Sequence, residues 1–306
     1  MVPLLLSLVA LAALTPLAQS HFTFVRIKTD GKWHEPLQYI RNKTDMYNEW
    51  KYYNSNFLYR GWNWPTYVID RPESVRCGRD NMRHAPNTDV LTVKAGQELE
   101  IVHIRASPEE WVEDYFQCED MEDRGVCFRK PGWYNDFNHP GPLVVHLSKA
   151  PEGQDIRSYD GTGEWIKIHR IGLDDPEERP LNWTLYRKVP QKIIFKIPAQ
   201  TPAGQYLMRM DVIWSGWQSE YIKPPAAGLA EMYPSCAQLN IVSDSTKELP
   251  QGVKIPEIFD IWEPGMTTSG DMLDFKSLDA NYTYPGGLLW DGEKMNIDSP
   301  YFEWYK

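Results

Sequence analysis

The sequence predicts an all-β fold: an immunoglobulin-like antiparallel β-sandwich with long loops and an extended C-terminal segment. Three observations carry this. Short runs rich in β-branched and aromatic residues recur along the chain, Pro, Gly and Asp separate them, and no strong amphipathic helical pattern lies between them. The 306 residues, 42% of them hydrophobic, can bury a sizeable core.

Taken in order, residues 1–20 read as a signal peptide. They hold a Leu/Val/Ala run from Leu4 to Leu14 and no charged side chain, and end Ala18-Gln19-Ser20, with small residues at the minus-three and minus-one positions of a cleavage site. Cleavage there makes His21 the first mature residue. Such a histidine offers its free α-amine and its ring Nδ1 to one cation as a chelate, whereas a cut one or two positions away would leave it an ordinary strand histidine. His21 to Ile27 alternates like a half-buried strand, and Asp30-Gly31 supplies the turn after it. From Asn42 to Pro65 the chain is crowded with rings (Tyr47, Trp50, Tyr52, Tyr53, Phe57, Tyr59, Trp62 and Trp64) without a clean period. This reads as a long, partly structured surface loop whose aromatics either staple it to the core or, where one or two rings stay exposed, serve binding.

Val90 to Val93 and Glu98 to Ile104 are strands around the Lys94-Ala95-Gly96-Gln97 turn, with Leu99, Ile101 and His103 on one face. Arg105 to Asn138 is a polar, acidic insertion holding Cys118 and Cys127, whose close spacing suggests a local staple. Leu143–Leu147, Trp165–Ile168, Gln191–Ile197, Gly204–Ile213 and Ala237–Val242 are further strands. Beyond Ser243 the chain is rich in Pro and Gly, so 243–306 is read as a segment wrapped over one domain spanning 21–306.

Composition narrows the function. A formal net charge of −10 argues against nucleic acid or an anionic membrane as partner, because a phosphate-binding face needs clustered Lys and Arg. The apolar run is too short for a membrane span, none follows it, and the C-terminus lacks a lipid-anchor tail; a secreted, soluble monomer is the expectation. Four cysteines (Cys77, Cys118, Cys127 and Cys236) suit two disulfides in an oxidising compartment, with three pairings possible. Sequons at Asn42, Asn182 and Asn281 fit a glycoprotein. The 13 tryptophans and 17 tyrosines suit stacking on sugars.

Two further stretches carry chemistry, Asn138-His139-Pro140-Gly141-Pro142 and Ala230-Glu231-Met232-Tyr233-Pro234-Ser235-Cys236-Ala237-Gln238. His139 sits in a turn before a strand, where a rigid loop can aim an imidazole, and Tyr233 lies three residues before a disulfide candidate. Each alone would be a surface histidine and a core tyrosine. Their order, with an N-terminal histidine before them and Gly204-Gln205-Tyr206-Leu207-Met208-Arg209 between, resembles the fungal lytic polysaccharide monooxygenases of auxiliary activity family nine. The resemblance extends through Cys77, Trp165-Ile166-Lys167-Ile168 with Gly172-Leu173, and Asp279-Ala280-Asn281-Tyr282-Thr283-Tyr284-Pro285-Gly286.

That resemblance implies one copper per chain, held by the amine and Nδ1 of His21 and by Nε2 of His139, with the Tyr233 phenol at a longer axial position; imidazole suits copper. It implies oxidation of a β-linked polysaccharide such as cellulose or a hemicellulose at C1 or C4, with an external electron donor and dioxygen or hydrogen peroxide. It also implies a Cys77–Cys236 bridge, leaving Cys118 with Cys127. The chain departs from the family at two places. Trp214-Ser215-Gly216-Trp217 stands where a histidine usually follows the strand, and Glu231 where a glutamine usually precedes the axial tyrosine by two residues. Glu231 could act as acid or base in their place. The other histidines, His34, His84, His103, His146 and His169, read as structural. Two rival functions follow: copper binding on the same fold without polysaccharide oxidation, in copper handling or at the cell wall, and carbohydrate binding without metal.

Overall fold

Twelve strands build the framework in the computed structural model, which describes residues 21–44, 46–47, 59–117, 125–127, 129–130, 133–134, 137–175, 180–186, 192–217 and 228–300. They are β1 (Thr23–Thr29), β2 (Lys32–Trp33), β3 (Leu91–Lys94), β4 (Glu98–Ile104), β5 (Leu143–Lys149) and β6 (Ile166–Ile171). Then come β7 (Ile193–Lys196), β8 (Gly204–Trp214), β9 (Glu231–Met232), β10 (Ser235–Val242), β11 (Leu289–Trp290) and β12 (Met295–Asn296). Residues 1–20, read as a signal peptide, lie outside the described residues, as do Cys118, Trp50, Tyr52, Tyr53, Phe57 and residues 301–306.

The strands form a sandwich. One sheet runs β7-β4-β1-β2; the other runs β12-β11-β6-β5-β8-β10-β3, with β9 on the end of β8. Neighbours are antiparallel except β10 with β3 and β6 with β11. Between the sheets lie Phe22, Phe24 and Ile27, Leu99 and Ile101, Val145 and Leu147, Met208, Met210 and Val212, and Leu239. Apart from the three-residue step from Phe24 to Ile27, where the register of β1 on β4 shifts, these residues recur at every second position of their strands, the period that puts side chains on one face.

Both sheets are also covered outside. Val144, Leu207 and Ile213 on the outer face of the larger sheet pack against Val75, Trp165 and the tail residues Ile255, Phe259 and Met266. Strand β8 is therefore buried on both faces, its outer face carrying the buried Arg209–Asp211 pair among apolar residues. Outside the smaller sheet, Val25, Val102 and Ile104 meet Trp62, Tyr115 and Val126. The short helix α1 (Pro72–Cys77), with proline in its first turn, ends at Gly78, and a disulfide joins Cys77 to Cys236 of β10. Cys127 is also disulfide-bonded.

The tail is pinned by buried charge. Lys167 on β6 lies 2.6 Å from Asp298 and donates to the carbonyls of Tyr284 and Pro285 at 3.0 and 3.1 Å, while Arg170 reaches Asp298 at 3.0 Å. The fully buried His146 ring, 2.9 Å from the Gly286 carbonyl through Nε2, adds to this clasp; burial drives its pKa well below the ordinary value, so the neutral ring donates. His103 is buried against Phe137 at 3.9 Å between centroids. His34 and His84 bond Thr29 and Thr44, each at 2.7 Å.

The structure adds β11 and β12, which the sequence leaves within the extended segment: each is only two residues long, too short for a period to register. Asn281 is exposed, whereas the half-buried amides of Asn42 and Asn182 are engaged, Asn42 Oδ1 accepting from the Trp62 indole and Asn182 Nδ2 donating to Asp174.

Candidate metal centre

Three loops and a strand end converge where β1 begins. One residue separates His21 from β1, which ties its backbone to the core through Phe22 and Phe24, both fully buried. His139 comes from the turn leading into β5. That turn lies on the end of β8: Ile213 donates its N–H to the Pro142 carbonyl at 3.0 Å, and Gly141 has φ +152°, with no room for a Cβ against the Ile213 carbonyl. Glycine is thus required for the close approach that sets His139 in place. Glu231 and Tyr233 come from β9 and the residue after it, with Trp214 opposite Glu231 and Ile213 opposite Met232.

The side chains face one another. The His21 and His139 rings are 5.9 Å apart between centroids, His21 and Tyr233 6.1 Å, and His139 and Tyr233 5.7 Å. One donor atom from each of His21, His139 and Glu231 can be chosen so that all lie within 4.8 Å of one another. Ligands on opposite sides of one ion, at about 2.0–2.2 Å each, sit roughly 4 Å apart, so these donors can close on a single cation with small side-chain shifts.

Electrostatics prepares His139 for that role. Its side chain is 11% exposed, and burial, followed by the neighbouring His21 and Arg105 charges, brings its pKa down to about 4. The ring is therefore neutral at physiological pH. Its Nε2 is buried and has no hydrogen-bond partner among the described residues. An orphaned buried nitrogen costs about 1–3 kcal/mol, and in a native site it points to a bound ion or a function. Imidazole nitrogens with a nearby carboxylate suit copper, zinc, iron or nickel, so the donor set fits copper. In metal-free protein the His139 ring should stay neutral as pH falls through 6.5 and protonate near pH 4, as read from its NMR chemical shifts; a midpoint near 6.5 would contradict this electrostatic account.

Tyr233 is fully buried, and its phenol donates to Glu231 Oε2 at 2.7 Å. Burial, then the Glu231 charge, pushes its pKa well above the ordinary value, so the phenol keeps its proton. Beneath it a buried pair fixes the backbone: Asp211 accepts from the Tyr233 N–H and from Arg209, both at 2.5 Å, and Arg209 also donates to the Arg76 carbonyl at 3.0 Å. Burial raises the Asp211 pKa to about 6 even with Arg209 beside it.

Several groups at this centre are not singled out by the sequence as part of it. The Tyr67 hydroxyl reaches Glu231 Oε1 at 3.4 Å; Asn63 donates to the Arg105 carbonyl at 2.5 Å and the His21 carbonyl at 3.5 Å; Trp64 packs on His21 at 5.5 Å. Trp214, marked in the sequence only as standing where a histidine is usual, stacks face to face on His139, with centroids 4.4 Å apart and planes 16° from parallel. Beside it, Pro140, Trp183, Trp214, Ser215, Thr268 and Met272 line a shallow, open depression. Among the described residues, no helix is long and apolar enough to cross a membrane.

A sequence profile of Auxiliary Activity family 9 (formerly GH61) matches residues 21–277. The chain is 29% identical over 306 residues to AA9 family lytic polysaccharide monooxygenase D of Emericella nidulans, covering 97% of this chain and 87% of that protein. It is 27% identical over 292 residues to AA9 family lytic polysaccharide monooxygenase G of Aspergillus tamarii, covering 94% and 71%. Among solved structures, CvAA9A superposes with a TM-score of 0.57 at 19% identity, over 90% of this chain and 100% of that one, which speaks for the fold.

Proposed function

The chain belongs to Auxiliary Activity family 9, and from that premise we propose that it is a secreted, copper-dependent lytic polysaccharide monooxygenase. Its substrate would be a β-linked glycan such as cellulose or a hemicellulose, oxidised at C1 or C4 with an external electron donor and dioxygen or hydrogen peroxide. The observation that supports this most is the buried, unpartnered Nε2 of His139 beside His21 and Glu231. Its relatives in Emericella nidulans and Aspergillus tamarii carry the name of that activity.

The residues would divide the work. His21, through its freed amine and Nδ1, and His139, through Nε2, would hold the copper, with the Tyr233 phenol beside them. Bound there, copper supplies the one-electron and oxygen chemistry that side chains lack. Trp214 holds the His139 ring in orientation by stacking. Tyr233 stays protonated and anchors Glu231, whose carboxylate can accept a proton at the centre. Trp64 and Tyr67, both partly exposed, would offer ring faces and a hydroxyl to a sugar chain.

A second reading has its own support. Glu231 and Trp214 occupy the two places where the sequence departs from the family, and both touch His139. A copper-binding protein without polysaccharide oxidation would tolerate such changes. Mature copper-loaded protein, given a reductant and a panel of polysaccharides, should release oxidised oligosaccharides detectable by mass spectrometry. Tight copper binding with no oxidised product from any of them would favour the second reading.

A further inference from the structure

The reading that His21 and His139 hold copper leaves open what else touches the metal. We propose that Glu231 is itself a ligand, so that the centre combines two imidazoles and the terminal amine with a carboxylate oxygen. Three observations converge on this.

The first is reach. Glu231 Oε2 lies 3.6 Å from His139 Nε2, a separation expected for two ligands of one ion at about 2.0–2.2 Å each and roughly 120° apart. It is too long for a hydrogen bond, and His139 Nε2 has no hydrogen-bond partner among the described residues. The two atoms therefore face a common point without satisfying each other.

The second is rigidity. Glu231 is carried on β9, which pairs with the end of β8, so its backbone is fixed by the same strand that positions the His139 turn. Its side chain is half-buried rather than free to swing into solvent. Sites built on strands hold ligands more tightly than sites on loops.

The third is the chemistry of its supports. Two phenols donate to it, Tyr233 to Oε2 at 2.7 Å and Tyr67 to Oε1 at 3.4 Å. A carboxylate accepts at both oxygens and still has lone pairs for a metal. An amide has one oxygen, so one phenol would meet an N–H and have to turn. The surroundings are thus matched to a carboxylate, and they act as the outer hydrogen bonds that orient metal-binding carboxylates generally. The Tyr233 oxygen retains lone pairs while it donates, so a Tyr233 contact with the metal would be compatible with this arrangement.

An anionic oxygen ligand favours Cu(II) over Cu(I). Cu(II) electron paramagnetic resonance and competition titrations with Cu(II) and Cu(I) on mature wild type, Glu231→Gln and His139→Ala test the assignment. Glu231→Gln should shift the g and copper hyperfine values and weaken Cu(II) binding about 10- to 100-fold. Cu(I) binding should change less than about threefold, so the midpoint potential rises by about 59 mV for each tenfold loss of Cu(II) affinity. Glu231→Asp, which draws the carboxylate back by one methylene, is the second variant and should shift the same spectral values. Spectra and Cu(II) affinity unchanged in both variants would overturn the assignment while leaving the histidine pair in place. A wild type that binds copper no better than His139→Ala would instead remove the copper reading itself.

Discussion

Replacement of His139 by alanine is expected to weaken Cu(II) binding by about a thousandfold or more while leaving the metal-free fold nearly as stable as before. Loss of an outer hydrogen bond to a metal ligand typically costs 10- to 100-fold in affinity, and loss of the ligand should exceed that. The stability side is less obvious. The ring stacks on Trp214 and is largely buried, so truncation removes packing. It also removes a buried nitrogen without a partner, which itself costs about 1–3 kcal/mol. These terms oppose each other, and the metal-free Tm should move by only a few degrees. Competition titration and thermal unfolding of the same metal-free preparation check both halves. A large Tm loss with unchanged copper affinity would make His139 a packing residue.

Replacing Cys77 and Cys236 together should have the largest effect on stability. The bridge closes a loop with a sequence separation of 159, and chain entropy assigns such a constraint about 5 kcal/mol. At about 2–4 °C per kcal/mol for a domain of this size, Tm should fall by roughly 10–20 °C. The copper site should loosen with it. Cys236 lies three residues after Tyr233, and the carbonyl of Arg76, next to Cys77, receives the Arg209 guanidinium whose partner Asp211 holds the Tyr233 N–H. Calorimetry under non-reducing conditions, with copper affinity on the same variant, reads both effects.

The framework was legible in the sequence because its strands carry a period. Leu99, Ile101 and His103 announce one face of β4, and all three turn inward. Strand β8 was legible for a different reason, as a long β-rich run bounded by Gly204, although its two-sided burial could be seen only once the tail residues Ile255 and Phe259 were placed on it. The centre was legible only in part. His21 and His139 stand out by position, one after a cleavage pattern and the other in a His-Pro-Gly-Pro turn. Tyr67, Asn63 and Arg105 do not, because they arrive on loops whose path is set by contacts far apart in sequence. Trp214 was visible as a departure, yet nothing in its neighbours tells that the ring would lie flat on His139 rather than point to solvent.

The central claim is that a histidine freed by cleavage shares one copper with His139, and adding a single residue ahead of His21 tests it most directly. The extra peptide bond turns the amine into an amide, which does not coordinate as a neutral donor, while every side chain at the centre remains. Mature protein beginning at His21 should bind one Cu(II) tightly. Its affinity should fall with pH below about 7.7–8.0, where a free α-amine takes up its proton. The extended protein should bind at least about a hundredfold more weakly and lose that pH dependence. Equal Cu(II) affinity in the two proteins, by competition titration at the same pH, would contradict the account.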